Sequence, residues 1–324
     1  MNTTQGQLAP VLAEGGAELT RLLDCTEARL AEVARGHGPA LARHAEGTLA
    51  AGGKRLRPLL VFLCGGGEPA LPAAAAVELL HMATLVHDDV LDRAELRRGR
   101  PTVFADGGRP AATATGDLLF SRAFAELAST GSADAVAALS RASSALARGE
   151  LLQRADAWSE QVTPERYRER CELKTASLFE AACRLGAIFG AQPATAETLG
   201  CFGERIGLAF QMLDDVLDVS GPTERTGKPR GADLLDGTVT LPLILARRSD
   251  HELRLLDLRA SAATQRDAEA LCERIAVTGA LEDARREALT HVHEAKAALG
   301  RLDLPARRRR ALELVADGVV ERYA

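Results

Sequence analysis

The acidic pattern Asp-Asp-x-x-Asp occurs twice in this chain, and each copy ends an apolar stretch with helical spacing. Each copy places two carboxylates four residues apart, one turn apart on the same helix face. The residues are Asp88, Asp89 and Asp92 in the first copy and Asp214, Asp215 and Asp218 in the second. Carboxylates at this spacing repel each other unless a positive charge lies between them. One copy would be typical of a solvated acidic face, but the repetition favours a bound cation.

The composition indicates a chain built from helices. Alanine and leucine dominate, aromatic residues make up 3% of the sequence, and no long run alternates with the two-residue period of a strand. Apolar residues have helical spacing from about residue 9 to 50 and again from about residue 263 to the end. Thr163 before Pro164 is typical of a helix N-cap. Because no linker divides the chain, we expect an all-α protein with a single domain over residues 1–324.

Charge and hydropathy exclude several classes of partner. The net charge of −5 leaves no broad basic surface, so nucleic acid is not an expected partner. The N-terminus lacks the pattern of a signal peptide, and no apolar run approaches the roughly 20 residues that span a bilayer. The cysteines show no metal-finger spacing, which predicts buried thiols in a reducing compartment. These are Cys25, Cys64, Cys171, Cys183, Cys201 and Cys272. We expect a cytoplasmic protein that is not transmembrane.

Two acidic clusters on helices are a means of binding hard divalent cations. Mg²⁺ takes oxygen ligands and keeps room for waters and phosphate oxygens. A helical bundle can direct an acidic cluster inward from each of two helices. Ion pairs with nearby arginines would explain Asp92 but not the repeated pattern. A di-iron centre would need a Glu-x-x-His motif on each of two helices, and the chain has one, from Glu78 to His81.

A second anion site is predicted from basic residues near the first acidic cluster. Lys54 and Arg57 follow the Gly52-Gly53 turn, and Arg98 follows the acidic cluster. Taken alone, these residues would be ordinary surface charge. Beside two cation sites, they favour a pair of adjacent diphosphate sites.

The motifs together resemble the trans-isoprenyl diphosphate synthase (polyprenyl synthetase) family. They are AGGKRLRP, HDDVLDRAELRRGRPT, GELLQ, LKTASLFEAACRLGA, FQMLDDVLDVSG and GKPRGADL followed by TLPLILA, in family order over roughly residues 50–246. The resemblance is to enzymes of the bacterial medium- to long-chain type. It implies an all-α bundle around a central active-site cavity, which works as a homodimer.

The resemblance also implies roles for individual residues. The six aspartates would hold Mg²⁺, three ions per active site, on the diphosphate of an allylic substrate such as geranyl or farnesyl diphosphate. Further contacts to that diphosphate would come from Arg97, Lys174 and Lys228. Isopentenyl diphosphate would be held by Lys54, Arg57, His81 and Arg98. The catalytic residues beside the reacting carbons would be Lys174, Thr175 and Gln211.

Two features bear on how far the resemblance extends. The family's usual lysine in its Gly-Lys-x-Thr-Leu-Pro motif is replaced here by Thr238, so that contact to the diphosphate is not carried over. The positions where the family's short-chain enzymes carry aromatic residues are Ala83 and Thr84, which are small. We therefore expect a product longer than the C15 farnesyl chain, geranylgeranyl or longer. Leu80 and Phe120 are further candidates for the residues that limit its length.

Two rival functions remain open at this point. A class I terpene cyclase also ionises a diphosphate with Mg²⁺, but it would need no isopentenyl site and would carry an Asn/Ser/Glu metal motif second. A non-catalytic subunit of a heteromeric prenyl synthase would typically have lost its aspartates. This chain keeps both acidic motifs.

Overall fold

The structure of the protein is a computed structural model, which describes residues 3–50, 52–97, 99–190, 193–221 and 229–321. The prediction of an all-α fold is confirmed. The α-helices are α1 (Thr3–Arg35), α2 (Pro39–Ala50), α3 (Leu56–Leu63), α4 (Leu71–Leu91), α5 (Val103–Ala128), α6 (Ala133–Ala155), α7 (Pro164–Cys171), α8 (Ser177–Phe189), α9 (Ala196–Ser220), α10 (Ala232–Leu235), α11 (Leu241–Ser249), α12 (His251–Arg254), α13 (Leu258–Ser261), α14 (Gln265–Ala276), α15 (Ala280–Leu299) and α16 (Ala306–Glu321). Short 3₁₀ turns cover Glu68–Ala70 and Pro193–Thr195, and a π-helical turn covers Glu172–Ala176.

The described helices divide into two compact units. The first unit contains residues 1–143, 178–203 and 298–315, and the second contains residues 144–177, 204–297 and 316–324. That residues 1–324 form a single domain stays a prediction.

Several helix bounds differ from those expected from the sequence, because turns interrupt stretches whose apolar residues keep a helical spacing. The helical stretch expected from residue 9 to 50 is divided into α1 and α2, since the chain breaks at Gly36 and Gly38, and α1 itself is kinked at Gly16, where φ is 71°. The long C-terminal stretch is three helices, α14 to α16. A two-residue hairpin, β1 (Leu96–Arg97) with β2 (Arg100–Pro101), follows α4. Thr163 is confirmed as the N-cap of α7, since its hydroxyl accepts a hydrogen bond from the Arg166 amide at 3.2 Å.

Buried acids fix how the helices of the first unit meet. Glu126 on α5 is 1% exposed and accepts from Arg29 of α1 at 2.9 and 3.1 Å. Glu78 on α4 is also buried and accepts from Arg55 at 2.9 Å, while Arg55 also pairs with Glu27 of α1. A buried carboxylate without such a partner would cost several kcal/mol, on the order of 3–5 kcal/mol when one partner is removed. Leucine and alanine side chains alone would allow the helices to pack in several alignments. These ion pairs therefore favour one alignment of the helices over the others.

Helix α4 lies at the centre of the first unit's core. It contacts α1, α2, α3 and α5. The segment from Glu68 to Leu91 is long and apolar enough to span a membrane. However, 67% of its most apolar 18-residue stretch is buried inside the protein. That burial is the pattern of a core helix.

In the second unit, buried polar side chains tie the helices together from within. Tyr167 and Arg170 of α7 are both buried, and the Arg170 guanidinium donates to the Val239 carbonyl at 2.6 Å. Arg168 on the same helix donates to Glu287 of α15 at 2.6 Å. Helix α7 is therefore anchored on two sides, which positions the π-helical turn that follows it.

The cysteines agree only in part with the expectation of buried thiols. All are free, and Cys64, Cys171, Cys183 and Cys272 are buried. Cys201 is exposed and Cys25 is half-buried, so the expectation is wrong for these two residues. Both lie on long helices, at the border between the buried and the solvent-facing side, where a small residue is tolerated.

We expect Gly186→Ala to destabilise the protein by about 1–3 kcal/mol, measured as the free energy of unfolding in urea. Helices α8 and α3 approach closely here, and a Cβ on Gly186 would lie 2.2 Å from the Val61 carbonyl oxygen. The matched control is Gly318→Ala in α16, where a Cβ has nothing within 4 Å. That change should stabilise the helix by about 0.5–1 kcal/mol. Equal effects of the two substitutions would contradict the close approach.

Candidate functional site

The first acidic cluster lies at the carbonyl end of α4. Asp88 is half-buried in the last turn, and Asp92 is the exposed C-cap, whose amide donates to the Asp88 carbonyl at 2.8 Å. Arg93 then takes φ 51°, a left-handed conformation that ends the helix. The carbonyl end of a helix carries partial negative charge, so carboxylates here add to an unfavourable potential. A nearby cation is therefore favoured at this helix end.

The middle aspartate of this cluster is bound by the protein itself. Asp89 is 4% exposed, and its Oδ1 accepts from Arg97 Nε at 2.9 Å and from Arg97 Nη2 at 2.8 Å. The hairpin after α4 returns the chain so that Arg97 reaches the helix. The structure thus brings two predicted site residues together, but as an ion pair with each other.

Of the basic residues predicted to hold isopentenyl diphosphate, the structure describes Lys54, Arg57 and His81, while Arg98 lies outside the described residues. The Arg57 guanidinium stacks over the Phe179 ring at 4.6 Å. Its Nε has no hydrogen-bond partner among the described residues. Burial lowers the pKa of Arg57 to about 10, with Glu78 opposing the shift, so the group stays charged at neutral pH. A buried, aromatic-stacked cation with a donor to spare is suited to an anionic ligand.

His81 lies on α4 two turns before Asp88, at the wall of a cavity of about 230 Å³ in the first unit. Arg55, Asp89 and Arg97 also line that cavity. Four of its charged lining residues are paired with each other, Arg55 with Glu78 and Arg97 with Asp89.

The second acidic cluster repeats the arrangement of the first. It lies in the last turns of α9, again at the carbonyl end, with Asp214 exposed and Asp218 half-buried. The Asp218 carboxylate accepts from the Asp233 amide at 3.3 Å. The middle residue, Asp215, is 3% exposed. In both copies, therefore, the outer carboxylates are the accessible ones and the middle carboxylate is buried.

Asp215 is held by two donors. Tyr167 Oη donates to Asp215 Oδ2 at 2.6 Å, and Gln211 Nε2 donates to Oδ1 at 2.7 Å. Gln211 Oε1 in turn accepts from the Thr175 hydroxyl at 2.7 Å. Two residues predicted to lie beside the reacting carbons, Thr175 and Gln211, are thus in direct contact.

Burial shifts the pKa values of this group upward. The pKa of Asp215 is raised to about 8 by burial and by the Asp233 carboxylate, against the hydrogen bonds from Tyr167 and Gln211. Burial and the neighbouring Asp215 also raise the pKa of Tyr167 well above its usual value. Tyr167 therefore keeps its proton and acts as a donor across the physiological range.

Lys174 is positioned by the π-helical turn that follows α7. Its Nζ pairs with Glu150 of α6 at 2.5 Å, and Glu150 also accepts from Arg154 at 2.8 Å. Gly149 allows this approach, because a Cβ there would lie 2.6 Å from the Lys174 amide nitrogen. Burial opposes ionisation of Glu150, but Lys174 and Arg154 outweigh it and lower the pKa of the Glu150 carboxyl. The wide turn thus presents Lys174 and Thr175 in succession.

The positions predicted to limit product length lie on α4 and α5. Leu80 and Ala83 are fully buried, whereas Thr84 is half-buried and its hydroxyl donates to the His81 carbonyl at 2.8 Å. Phe120 on α5 is 37% exposed and lies beside the Phe124 ring, with centroids 5.3 Å apart.

Two further positions bear on the predicted diphosphate site. Lys228 lies outside the described residues. Thr238, where the family usually has lysine, is half-buried, and its amide donates to the Asp233 carbonyl at 2.8 Å. Its short side chain carries no charge that could reach a diphosphate.

The acidic residues fit an open cation site and not a closed one. Among the described residues, no three side chains of His, Cys, Asp or Glu lie close enough together to enclose a metal ion. Each cluster instead offers accessible oxygen donors at a negative helix end. Mg²⁺ suits such a site, because it keeps several waters and completes its shell with phosphate oxygens.

Comparisons with known proteins agree on one family. The sequence model for the polyprenyl synthetase family matches residues 39–275, well over half of the chain. The chain belongs to the polyprenyl synthetase family. This is a family of prenyltransferases that use a divalent metal.

Its relatives in this family span a range of product lengths. The chain is 39% identical, over 87% of its length and 90% of the relative's, to a short chain isoprenyl diphosphate synthase of Methanothermobacter thermautotrophicus. A decaprenyl diphosphate synthase from Rhodobacter capsulatus is 34% identical, with a TM-score of 0.87 and 99% of both chains covered. The polyprenyl synthase of Caulobacter crescentus CB15, solved with calcium and isoprenyl diphosphate, is 36% identical with a TM-score of 0.87, covering 99% of this chain and 98% of that one.

Sequence reasoning missed the residues that hold the polyprenyl synthetase site in place. Tyr167 and Glu150 had no assigned role, although each contacts a predicted site residue. The motif Gly-Glu-Leu-Leu-Gln carries Glu150, and its position beside a glycine was a signal for a close helix contact. Tyr167 gave no comparable signal, because its partner lies 48 residues further along the chain.

We expect the Glu150–Lys174 pair to stabilise the fold by about 1–2 kcal/mol, because both groups are largely removed from water. The measurement is a double-mutant cycle with Glu150→Gln and Lys174→Met, followed by urea unfolding. The control cycle uses the exposed pair Asp283–Arg286 at 2.7 Å, with an expected coupling below about 0.5 kcal/mol.

This stabilisation should also depend on pH in one direction. Because the folded pKa of Glu150 is depressed, the pair contributes above the carboxyl's unfolded pKa and is lost as the pH falls through the folded pKa. The difference between the native protein and Glu150→Gln should therefore shrink on acidification. A difference that is unchanged at low pH would show that the pair is not the cause.

Proposed function

We propose that this prenyltransferase joins isopentenyl diphosphate to an allylic diphosphate in a Mg²⁺-dependent, head-to-tail (1'-4) condensation that makes an all-trans polyprenyl diphosphate. The observation that supports this most directly is the pair of matched acidic helix ends. In each, two accessible carboxylates lie at a negative helix terminus with a cationic side chain on the same unit, Arg97 in one and Lys174 in the other. That combination is suited to a metal–diphosphate ligand.

The two substrates use different residues. Asp88, Asp92, Asp214 and Asp218 hold Mg²⁺ ions, three per active site, on the allylic diphosphate. The cations that bind this diphosphate directly are Arg97, Lys174 and Lys228. Isopentenyl diphosphate is held by Lys54, Arg57, His81 and Arg98. Asp89 and Asp215 act through their hydrogen-bond partners, because burial leaves them less able to reach a metal.

The chemistry follows from where charge develops. The allylic C–O bond breaks with its electron pair passing to the diphosphate, and Mg²⁺ held by the outer aspartates would supply positive charge against the charge that develops there. Arg97 and Lys174 add fixed positive charge at the leaving group. The isopentenyl double bond then forms the new C–C bond with the allylic cation. A proton is lost to the released diphosphate, so no side chain needs to be a strong base. Exclusion of water protects the cation.

We propose a product longer than C15, a homodimeric assembly and a cytoplasmic location. The small, half-buried side chain of Thr84 supports the first of these, since an open helical turn of about 5.4 Å leaves room for roughly one more prenyl unit. Sedimentation of the purified protein tests the homodimer.

Removal of divalent metal, or the double substitution Asp88→Ala with Asp214→Ala, should abolish incorporation of radiolabelled isopentenyl diphosphate. Each single substitution should lower kcat by at least about 100-fold, since it removes charge stabilisation from the reacting group. The control is Asp283→Ala, an exposed acid on α15, which should keep full activity. Incorporation that survives in the double variant would contradict the assigned metal site.

The same assay separates the rival functions. A terpene cyclase would convert an allylic diphosphate without incorporating isopentenyl diphosphate. A non-catalytic subunit would be inactive as the purified single chain.

Thr84→Phe should shorten the product by one or more prenyl units, read by chromatography of the dephosphorylated chains. Thr84 is half-buried one turn before Asp88, so the ring can extend from the same helix face. The control is Thr290→Phe, the same change at an exposed position of α15, which should leave the product unchanged.

Ala83→Phe is a poorer test, because Ala83 is fully buried and the ring would overpack the core. A native enzyme that stops at C15 with farnesyl diphosphate as primer would overturn the proposed length.

A further inference from the structure

The Arg57 guanidinium is held by an aromatic ring and not by a carboxylate. Its Cζ lies 4.6 Å from the centroid of the Phe179 ring, and that residue is 1% exposed. The Arg57 Nε has no hydrogen-bond partner within the described part of the chain. The carboxylate that acts on its charge, Glu78, is itself hydrogen-bonded to Arg55 at 2.9 Å. The ring therefore restricts this guanidinium as a carboxylate restricts a paired arginine.

Two other cations of the site are held in a different way. Arg97 pairs with Asp89 at 2.8 Å, and Lys174 pairs with Glu150 at 2.5 Å. Each carboxylate offsets part of the positive charge and uses N–H donors that a diphosphate could use. An aromatic ring has no net charge, and it contacts the face of a guanidinium. The edge donors of Arg57 and its charge are therefore left for an anion.

The packing of α3 against α8 sets the position of the ring. A Cβ on Gly186 of α8 would lie 2.2 Å from the Val61 carbonyl oxygen of α3, so the two helices are in close contact there. Arg57 lies one turn before Val61 on α3. Phe179 lies two turns before Gly186 on α8. The close contact thus aligns the two helices so that the ring and the guanidinium meet.

Packing alone does not account for a cation at this position. Arg57 lies in the first turn of α3, at the positive end of the helix dipole. Burial also opposes its charge and lowers the pKa to about 10. A methionine or leucine there would pack against Phe179 with neither penalty. An anion bound at this point would offset both.

We propose that Phe179 is a positioning residue for isopentenyl diphosphate, because its ring holds Arg57 in place and leaves the edge donors and charge of that guanidinium for the diphosphate. This inference rests on the proposed function, which assigns Arg57 to that substrate. Without the ring the guanidinium would move more freely, so binding would have to order it again and affinity would fall. The allylic diphosphate would be unaffected, since the cations that bind it lie on other elements.

The experiment measures the dissociation constant of isopentenyl diphosphate by calorimetry, with kcat and the KM for farnesyl diphosphate, in the full-length protein. Phe179→Leu should weaken binding of isopentenyl diphosphate by about tenfold, within the range for a desolvated cation–π contact. The KM for farnesyl diphosphate, and kcat at saturating isopentenyl diphosphate, should stay within about threefold of the native values. If Phe179→Leu does not fold by circular dichroism, Phe179→Met removes the ring with a smaller loss of volume and takes its place.

A double-mutant cycle shows whether Phe179 acts through Arg57. Arg57→Met alone should weaken binding of isopentenyl diphosphate by about 30-fold or more, since it removes a charged donor from the diphosphate. In the Arg57→Met background, Phe179→Leu should change the dissociation constant by less than about twofold, because no guanidinium remains to be positioned.

The control is Phe202→Leu, the same substitution at a fully buried ring of α9 in the same unit. It should lower the free energy of unfolding, as Phe179→Leu does, because both remove buried volume. The dissociation constant of isopentenyl diphosphate should stay within about twofold of the native value. A general loss of packing would instead weaken binding in both variants.

Two results would overturn the inference while leaving the proposed function intact. One is a native enzyme that elongates its substrate beside a Phe179→Leu variant whose dissociation constant for isopentenyl diphosphate is unchanged. The other is a tenfold loss that persists in full in the Arg57→Met background or that Phe202→Leu reproduces. A native protein that incorporates no isopentenyl diphosphate would instead overturn the proposed function, and this inference with it.

Discussion

The repulsion between carboxylates stacked at the carbonyl ends of two helices is the constraint on which the rest of this site depends. Each cluster adds side-chain charge to the negative end of its helix, in α4 and again in α9. Cations and hydrogen-bond donors relieve this repulsion. Within the protein, the Arg97 guanidinium pairs with Asp89, and the neutral donors Tyr167 and Gln211 hold Asp215. The outer carboxylates stay more exposed, which is where a cation from solution can approach.

The same logic explains why the cationic residues are held in advance. Lys174 is paired with Glu150 and Arg97 with Asp89, both with short contacts. Tethering removes side-chain freedom before a ligand arrives, so less conformational entropy is lost on binding. The protein carboxylate remains as a second partner when an anion joins, which keeps the net charge of the occupied site moderate. A loose lysine would bind the same anion more weakly and with less defined geometry.

The features that were predicted correctly from the sequence are those that depend on residues close together in the chain. The helices, the N-cap at Thr163 and the shared face of each aspartate pair follow from residues within a few positions of each other. The pair Tyr167–Asp215 does not, because its members are 48 residues apart and each would read as ordinary on its own helix. The π-helical turn at Glu172–Ala176 was also missed, since one extra residue in a turn leaves no compositional mark. The motif likewise predicts the same metal-binding role for all three aspartates. Only the structure shows that the middle one is buried and the other two are more exposed.

Placement of several functions on α4 limits how its sequence can vary. The helix carries core residues such as Leu80 and Ala83, which are fully buried, beside Thr84 and Asp88, which are not. A larger side chain at Ala83 must displace core atoms, so the stability of the first unit opposes it. Thr84 lies on the face of Asp88 and has part of its surface free, so it can change size at a lower cost in stability. If Thr84 limits product length as proposed, that length can change one turn from the proposed metal ligand Asp88 without disturbing the core.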